Sequence, residues 1–258
     1  MRTTISHDDA PPHTMNTITP ETTVGELVRA RPARARLFEN LGIDYCCGGK
    51  RPLGEACRAK NLDPATVVAM LAALDGAAAA PSANPDALSL AELCDHIVRA
   101  HHDWLREELP RLDFMTRKVA AVHGADEPRL HEIRRVFEGF NAEMTAHLRE
   151  EEEQVFPLIR KLESAHHGGA GASALPTTLA KLEAEHGRAG EALERFAELS
   201  DRYTPPEWAC NTFRAMFDTL ARLERNMHEH VHAENNVLFV KALATATAPG
   251  TAGARREW

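Results

Sequence analysis

Two stretches of this chain set a histidine and a glutamate four residues apart inside otherwise apolar helical stripes. One stripe runs Ile133, Phe137, Phe140, Met144, His147, Glu151, Val155, Leu158, Leu162; the other runs Met216, Leu220, Leu223, Met227, His230, Glu234, Leu238. A spacing of four puts each His and its Glu on one helix face, turned toward the core. A single core histidine is most often satisfied by a hydrogen bond. A core carboxylate is harder to accommodate, because left unpaired it costs several kcal/mol. Two of them, each following a core histidine, need a common explanation, and a bound cation supplies one. Two further stripes each carry one histidine: His186 among Leu179, Leu182, Ala189 and Leu193, and His102 among Val98, Leu105, Leu109 and Leu112. Four imidazoles and two carboxylates exceed the ligand set of one tetrahedral zinc. They suit two ions bridged by carboxylates. With no thiolate in the stripes, the donors favour iron or manganese over a soft metal.

The elements that must position these groups are four long helices, predicted near 88–122, 128–164, 176–201 and 206–245. A Gly-rich stretch, His166–Gly171, separates the second from the third. Tyr203-Thr-Pro-Pro separates the third from the fourth, with Thr204 as the expected N-cap. An internal repeat links the two halves: His147-x₃-Glu151-x₄-Phe156 matches His230-x₃-Glu234-x₄-Phe239. His102 lies 45 residues before His147, and His186 lies 44 before His230. Each half therefore reads as a helical hairpin giving one His from its first helix and a His-Glu pair from its second. Alternating β-branched runs are absent, so the chain is read as all-α, an antiparallel four-helix bundle over 88–245.

Ahead of the bundle, residues 19–75 read as a small helical domain. Thr22 or Thr23 caps its first helix and Pro32 opens the second; short patterns follow at 53–60 and 64–74, the last opened by Asp63-Pro64. So short a unit makes a marginal core and is expected to lean on the rest of the chain. Residues 1–18 read as a disordered tail, 246–258 as a flexible tail and 76–87 as a linker.

Composition narrows the function classes. The 258 residues carry 14 histidines, as many as the Phe, Tyr and Trp together, and a net charge of −8 from 30 basic and 38 acidic residues. An acidic chain without a basic block argues against nucleic acid as a partner. No run approaches the ~20 apolar residues of a membrane span, and the first residues lack the apolar run of a secretory signal. Cysteines 46, 47, 57, 94 and 210 are too few and odd in number to form a disulfide framework. A reducing, cytoplasmic setting is expected.

The matching segments are His102-Asp-Trp-Leu-Arg-Glu-Glu-Leu-Pro110, His147-Leu-Arg-Glu-Glu151 with Phe156-Pro157, Glu185-His186, and His230-Val-His-Ala-Glu234-Asn-Asn-Val-Leu-Phe239. Together they resemble the hemerythrin-like di-iron domain of the bacterial iron–sulfur cluster repair proteins, the repair-of-iron-centres family. Asp44-Tyr-Cys-Cys-Gly-Gly49 resembles the vicinal-cysteine signature of that family's N-terminal domain. The resemblance spans roughly residues 20–244. It implies a hemerythrin-like bundle whose iron ligands are His102, His147, Glu151, His186, His230 and Glu234, with the two glutamates bridging two non-haem iron ions. The fifth histidine ligand of hemerythrin oxygen carriers has no counterpart here, which implies an open coordination position. Val240 departs from the pattern, standing where the first half has Pro157.

Other residues are read less sharply. Periodicity leaves His101 and His102 open, since Cys94, Ile97, His101 and Trp104 also form a stripe; the spacing to Leu109-Pro110 and the resemblance favour His102. In the acidic run Glu150 to Glu153 only Glu151 falls on a stripe, and the others read as a wet face. Glu143 and Glu185 read equally as partners of the ligand histidines or as solvated flanks. His228 and His232 should face away from His230. Adjacent cysteines chelate one tetrahedral ion poorly, and no CxxC or histidine accompanies Cys46 and Cys47. The glycines after them imply an exposed turn with reactive thiols, or else two small buried residues at a helix end; the resemblance favours a functional pair. Cys57, Cys94 and Cys210 read as packing residues.

The expected function is repair of iron–sulfur clusters damaged by nitric oxide or oxidative stress, by donation of iron to client proteins. Cys46 and Cys47 would act in relay, and a homodimer is compatible with the small first domain. A di-iron nitric oxide or peroxide reductase, or a hemerythrin-like oxygen or redox sensor, would share every ligand.

Overall fold

The computed structural model describes residues 18–76, 87–164 and 173–247. Most of both tails, the linker residues 77–86 and the Gly-rich stretch with His166 and His167 lie outside the described residues.

The first unit packs four short helices: α1 (Val24–Ala30), α2 (Ala35–Leu41), α3 (Leu53–Ala59) and α4 (Pro64–Gly76). Thr23 is the N-cap of α1 and forms a full capping box with Glu26, each side chain satisfying the other's backbone N–H. Gly42 ends α2 at φ 65°, a left-handed cap that glycine adopts without strain. The carboxylate of Asp63 caps α4 through the N–H of Thr66, at 3.0 Å. Arg34 donates to the Leu27 carbonyl at 2.9 Å and pairs with Asp75, so α1 and the end of α4 are tied together.

Each of the four long helices follows from an apolar stripe, but three of them contain a π-turn. Helix α5 runs as Leu90–Ile97, a π-turn Val98–His102, and Asp103–His123. Helix α6 runs as Arg129–Glu150, a π-turn Glu151–Val155, and Phe156–Ser164. Helix α7 is Leu175–Leu199. Helix α8 runs as Asn211–His232, a π-turn Ala233–Leu238, and Phe239–Thr247. Helix α5 packs against α6 and α8, and α6 against α7, in an antiparallel bundle.

A π-turn accommodates one extra residue and rotates everything beyond it. In α5 it joins the two competing stripes: Cys94 and Ile97 are buried before the turn, and His102, Leu105 and Leu109 after it. In α6 it moves the stripe from the expected Leu158 and Leu162, which are only partly buried, to Phe156 and Ile159, which are buried. The five-residue step from Glu151 to Phe156, and from Glu234 to Phe239, is out of phase for an α-helical face and suits a π-turn.

Helix α8 starts at Asn211, later than expected from the prolines. Ala209 donates to the Pro206 carbonyl at 3.0 Å, closing a single turn that does not propagate. The N-cap is Cys210, not Thr204, and it makes no side-chain capping bond. Cys210 is exposed rather than packed, whereas Cys57 and Cys94 are fully buried as expected.

Among the described residues, two apolar clusters form the core. One joins the first unit, through residues such as Phe38, Tyr45 and Leu53, to the half of the bundle built on Leu105, Phe137, Phe196 and Phe213. The small unit thus shares its core with the bundle, as its length required; each fully buried Leu or Phe in it is worth about 1.5–3 kcal/mol. The other cluster, around Ile97, Phe156, Leu182 and Phe239, fills the opposite end. The six candidate ligands belong to neither cluster.

Candidate metal centre

All six residues are buried, with His102, Glu151, His186, His230 and Glu234 at 0% exposure and His147 at 4%. They form two groups that share both carboxylates: His102, His230, Glu151 and Glu234, and His147, His186, Glu151 and Glu234, with the ligand atoms of each group within 4.8 Å of one another. The Nε2 atoms of His102 and His230 are 3.1 Å apart, and those of His147 and His186 are 3.0 Å apart. Glu151 directs Oε2 toward His102 Nε2 (3.4 Å) and Oε1 toward His147 Nε2 (3.3 Å). Glu234 directs Oε1 toward His230 (3.0 Å) and Oε2 toward His186 (3.1 Å). Each carboxylate therefore spans both histidine pairs.

Outer partners fix three of the four rings. The Nδ1 of His102 meets Glu152 Oε1 at 2.7 Å, that of His147 meets Glu185 Oε2 at 2.8 Å, and that of His186 meets Asn235 Oδ1 at 2.8 Å. With Nδ1–H donated outward, Nε2 is the ring atom turned toward the shared carboxylates, and loss of its proton leaves the tautomer a metal ligand needs. His230 Nδ1 is buried without a partner. Phe156 stacks on His102 (5.6 Å between centroids) and Phe239 on His186 (6.1 Å). The phenylalanine of each sequence repeat thus packs the lone histidine of its own hairpin.

Both oxygens of Glu151 and Oε2 of Glu234 are also buried without a hydrogen-bond partner. The electrostatics call for positive charge at the same point. Burial alone would raise the Glu234 carboxyl, yet His230, His102 and His186 hold it well below the usual range. Burial would lower His147, yet Glu151 leads a set of carboxylates that raise it to about 10. Imidazole and carboxylate donors converging on unsatisfied oxygens fit cations of the iron or manganese type.

The structure also assigns the doubtful residues. His101 is buried beside the centre but is not among the converging ligand atoms, stacking instead on His230 at 5.3 Å and 9°. Burial lowers it to about 3 and leaves its Nδ1 unpartnered. His96 is exposed. Glu185 holds His147, whereas Glu143 reaches only Arg188, at 3.5 Å. Glu152 departs from the wet-face expectation: it joins His102 to Arg106. Asn235 has no place in the stripe reading; standing next to the candidate ligand Glu234 is its only sequence signal. A cleft of about 500 Å³ between α6 and α7, lined in part by Phe140, Met144, Glu143 and Ala189, reaches His147 and His186.

The cysteine turn is docked rather than exposed. Cys46 is buried and Cys47 half-buried. Asn236 donates to the carbonyls of Tyr45 (3.3 Å) and Cys46 (3.1 Å). A Cβ on Gly49 would meet Asn236 Oδ1 at 2.2 Å, and one on Gly25 would meet it at 2.4 Å. Close approach to α8, not flexibility, is what requires glycine at Gly49. Cys47 Sγ lies 3.4 Å from the His186 carbonyl and 3.9 Å from Cys46 Sγ. The Cys46 hydrogen bond lowers the Cys47 thiol, while the same bond and burial raise Cys46 well above the ordinary range. His232 faces away from the centre, as expected, but it is buried against Tyr45, whose carbonyl its Nδ1 meets at 3.4 Å.

Comparison with known proteins agrees with this geometry. Residues 20–75 match the ScdA_N model, a Domain of Unknown function (DUF542), and residues 93–242 match the Hemerythrin HHE cation binding domain. Relatives include proteins named iron-sulfur cluster repair protein YtfE from Escherichia coli O17:K52:H18 (strain UMN026), Escherichia coli O6:K15:H31 (strain 536) and Escherichia fergusonii. Each is 37% identical over 224 residues, covering 86% of this chain and 96% of the relative. Among the described residues no helix is long and apolar enough to cross a membrane. With four buried histidines sharing two carboxylates behind a docked Cys-Cys turn, the chain belongs to the hemerythrin-like family of iron–sulfur cluster repair proteins.

Proposed function

We propose that this chain repairs damaged iron–sulfur clusters by supplying iron held between its four bundle helices. The observation that carries the reading is the pair of buried carboxylates, Glu151 and Glu234, each spanning both histidine pairs with oxygens left unsatisfied. The relatives' name gives the client class, proteins whose clusters have been damaged; nitric oxide and oxidants, in a reducing cytoplasm, are the proposed agents of damage.

In this reading His102 and His230 would hold one iron ion and His147 and His186 the other, with Glu151 and Glu234, whose oxygens face both pairs, serving both. Bound there, iron supplies a Lewis-acidic, redox-active centre that also serves as transferable cargo. Glu152, Glu185 and Asn235 keep three imidazoles oriented with Nε2 inward. The phenylalanines at 156 and 239 keep water from two of the rings. The cleft at His147 and His186 gives a path to solvent. Oxygen and imidazole donors release iron to thiolate-rich apo-cluster sites more readily than thiolates would. Cys47, next to the His186 carbonyl, and its neighbour Cys46 are the proposed relay between centre and client.

Iron analysis and a client-recovery assay test the proposal together. Anaerobically purified protein should carry two iron ions per chain and restore the cluster absorbance of a damaged client. Glu151→Leu should carry none and restore nothing. Recovery by that variant without bound iron would overturn the reading.

A further inference from the structure

Adjacent cysteines lack the reach of a CxxC pair, but the fold brings a third donor to them. Asp44 Oδ1 accepts from the Cys46 thiol at 3.2 Å, and the ligand atoms of Asp44, Cys46 and Cys47 all lie within 4.8 Å of one another. The same carboxylate is held in place by the backbone N–H groups of Cys46 (3.0 Å) and Gly48 (2.9 Å). An ion ~2.3 Å from each sulfur, the usual zinc–thiolate bond, would subtend roughly 115° across the observed 3.9 Å gap, close to tetrahedral. Both cysteines line a cavity of about 290 Å³, whose other walls include Lys50, Glu183, Asn235 and Asn236. Water or a client ligand arriving through that cavity can complete the coordination.

The geometry points to a second metal site, in which Cys46, Cys47 and Asp44 bind one thiophilic divalent cation facing this cavity. Binding breaks two S–H bonds and forms two sulfur–metal bonds; the two protons leave to solvent and no electron moves. The ion takes the place of the proton now shared between the Cys46 thiol and Asp44. Asn235 gives the site its connection to the main centre, since it lines this cavity while its Oδ1 holds His186. Use of the site to stage iron on its way to a client rests on the repair reading proposed above.

The test uses iron-loaded full-length protein, kept anaerobic, in a Cys210→Ser background that removes the one exposed thiol. Titration with Cd²⁺ should give a thiolate-to-metal absorption band saturating at one equivalent per chain. Cys46→Ala and Cys47→Ala should each abolish the saturable band, and Asp44→Asn should weaken binding roughly 10-fold or more. Iron content and helicity of each variant report whether it has folded. Cys47→Ser, the smallest change, provides a second route if an alanine variant does not fold. No band in the folded parent, or a band that persists in Cys46→Ala, would overturn the site. The client-recovery assay on the same proteins separates the two readings: recovery without a Cd²⁺ band discards the site and leaves repair standing. A band without recovery by the parent does the reverse.

Discussion

The two histidine pairs of the centre share their carboxylates yet are built differently. His147 and His186 both have Nδ1 tied, to Glu185 and Asn235 at 2.8 Å each, and both border the cleft between α6 and α7. His102 is tied to Glu152, but His230 has no acceptor at Nδ1 and only the stacked ring of His101 beside it. Loss of an outer partner costs a metal site roughly 10–100-fold in affinity. The difference teaches that near-symmetry of ligands does not imply equal grip: one pair is clamped on both sides and the other on one. If each pair holds one iron ion, as proposed, chelation should remove them in two phases, with the ion at His102 and His230 leaving first.

The largest expected effect erases the comparison. Replacing either shared carboxylate, by Glu151→Leu or Glu234→Leu, removes a ligand from both pairs. Bound iron by elemental analysis should fall to background in each variant. Retention of one full equivalent in either would show that the carboxylates are not shared.

Next comes the side of the centre that faces the cysteine turn, where burial lowers His232 to about 4. Its folded pKa lies below the ordinary value of about 6.5, so the fold favours the neutral ring. That contribution is fully present above about pH 6.5 and is lost as pH falls toward about 4, amounting to about 3 kcal/mol. Urea unfolding of wild type should therefore lose more stability across this window than that of His232→Gln. Parallel pH dependences would rule out a buried neutral His232.

The outer partners sharpen the asymmetry itself. Asn235→Ala should loosen the clamped pair by about 10–100-fold and bring the two chelation phases together. Glu152→Ala should separate them further by speeding the first phase. Equal changes of both phases in both variants would mean that the ions are held as one unit.

The smallest effect is expected at His101. It stacks on His230 and contacts no other ligand ring, and its Nδ1 is already unpartnered. An aromatic apolar replacement can therefore be nearly neutral. His101→Phe should keep the full iron content, with a stability change within about 1 kcal/mol by thermal melting. Loss of an ion would make His101 a ligand in its own right.

Most of the architecture was legible because it rests on periodicity. Thr23 and Asp63 act as local punctuation where the sequence placed a helix start. The long helices follow apolar stripes that three-residue and four-residue steps reveal. Much of what failed did so at the π-turns and their neighbours, apart from the start of α8, where the turn at Pro206 does not propagate. The stripe beyond Glu151 shifted from Leu158 and Leu162 to Phe156 and Ile159. Glu152 turned from solvent toward His102, and with the extra residue in Val98–His102 it is His102, rather than His101, that lies with Glu151 and Glu234. A helix-period argument assumes one fixed rotation per residue, and a π-turn breaks that assumption without any composition of its own.

By itself the sequence determined five of the six inward-facing side chains and left the sixth between His101 and His102, because a polar residue on an apolar stripe is conspicuous and two repeats repeated the pattern. It could not determine how those six divide. The repeat groups His102 with His147 and His186 with His230, hairpin by hairpin. The bundle pairs them otherwise: α5 packs on α8 and α6 on α7, so His102 meets His230 and His147 meets His186. Each half of the centre therefore draws one histidine from each hairpin. The outer partners and the docked cysteine turn likewise come from segments far apart in the chain. Local sequence sets which face of a helix is buried; only the packing of helices decides which buried groups meet.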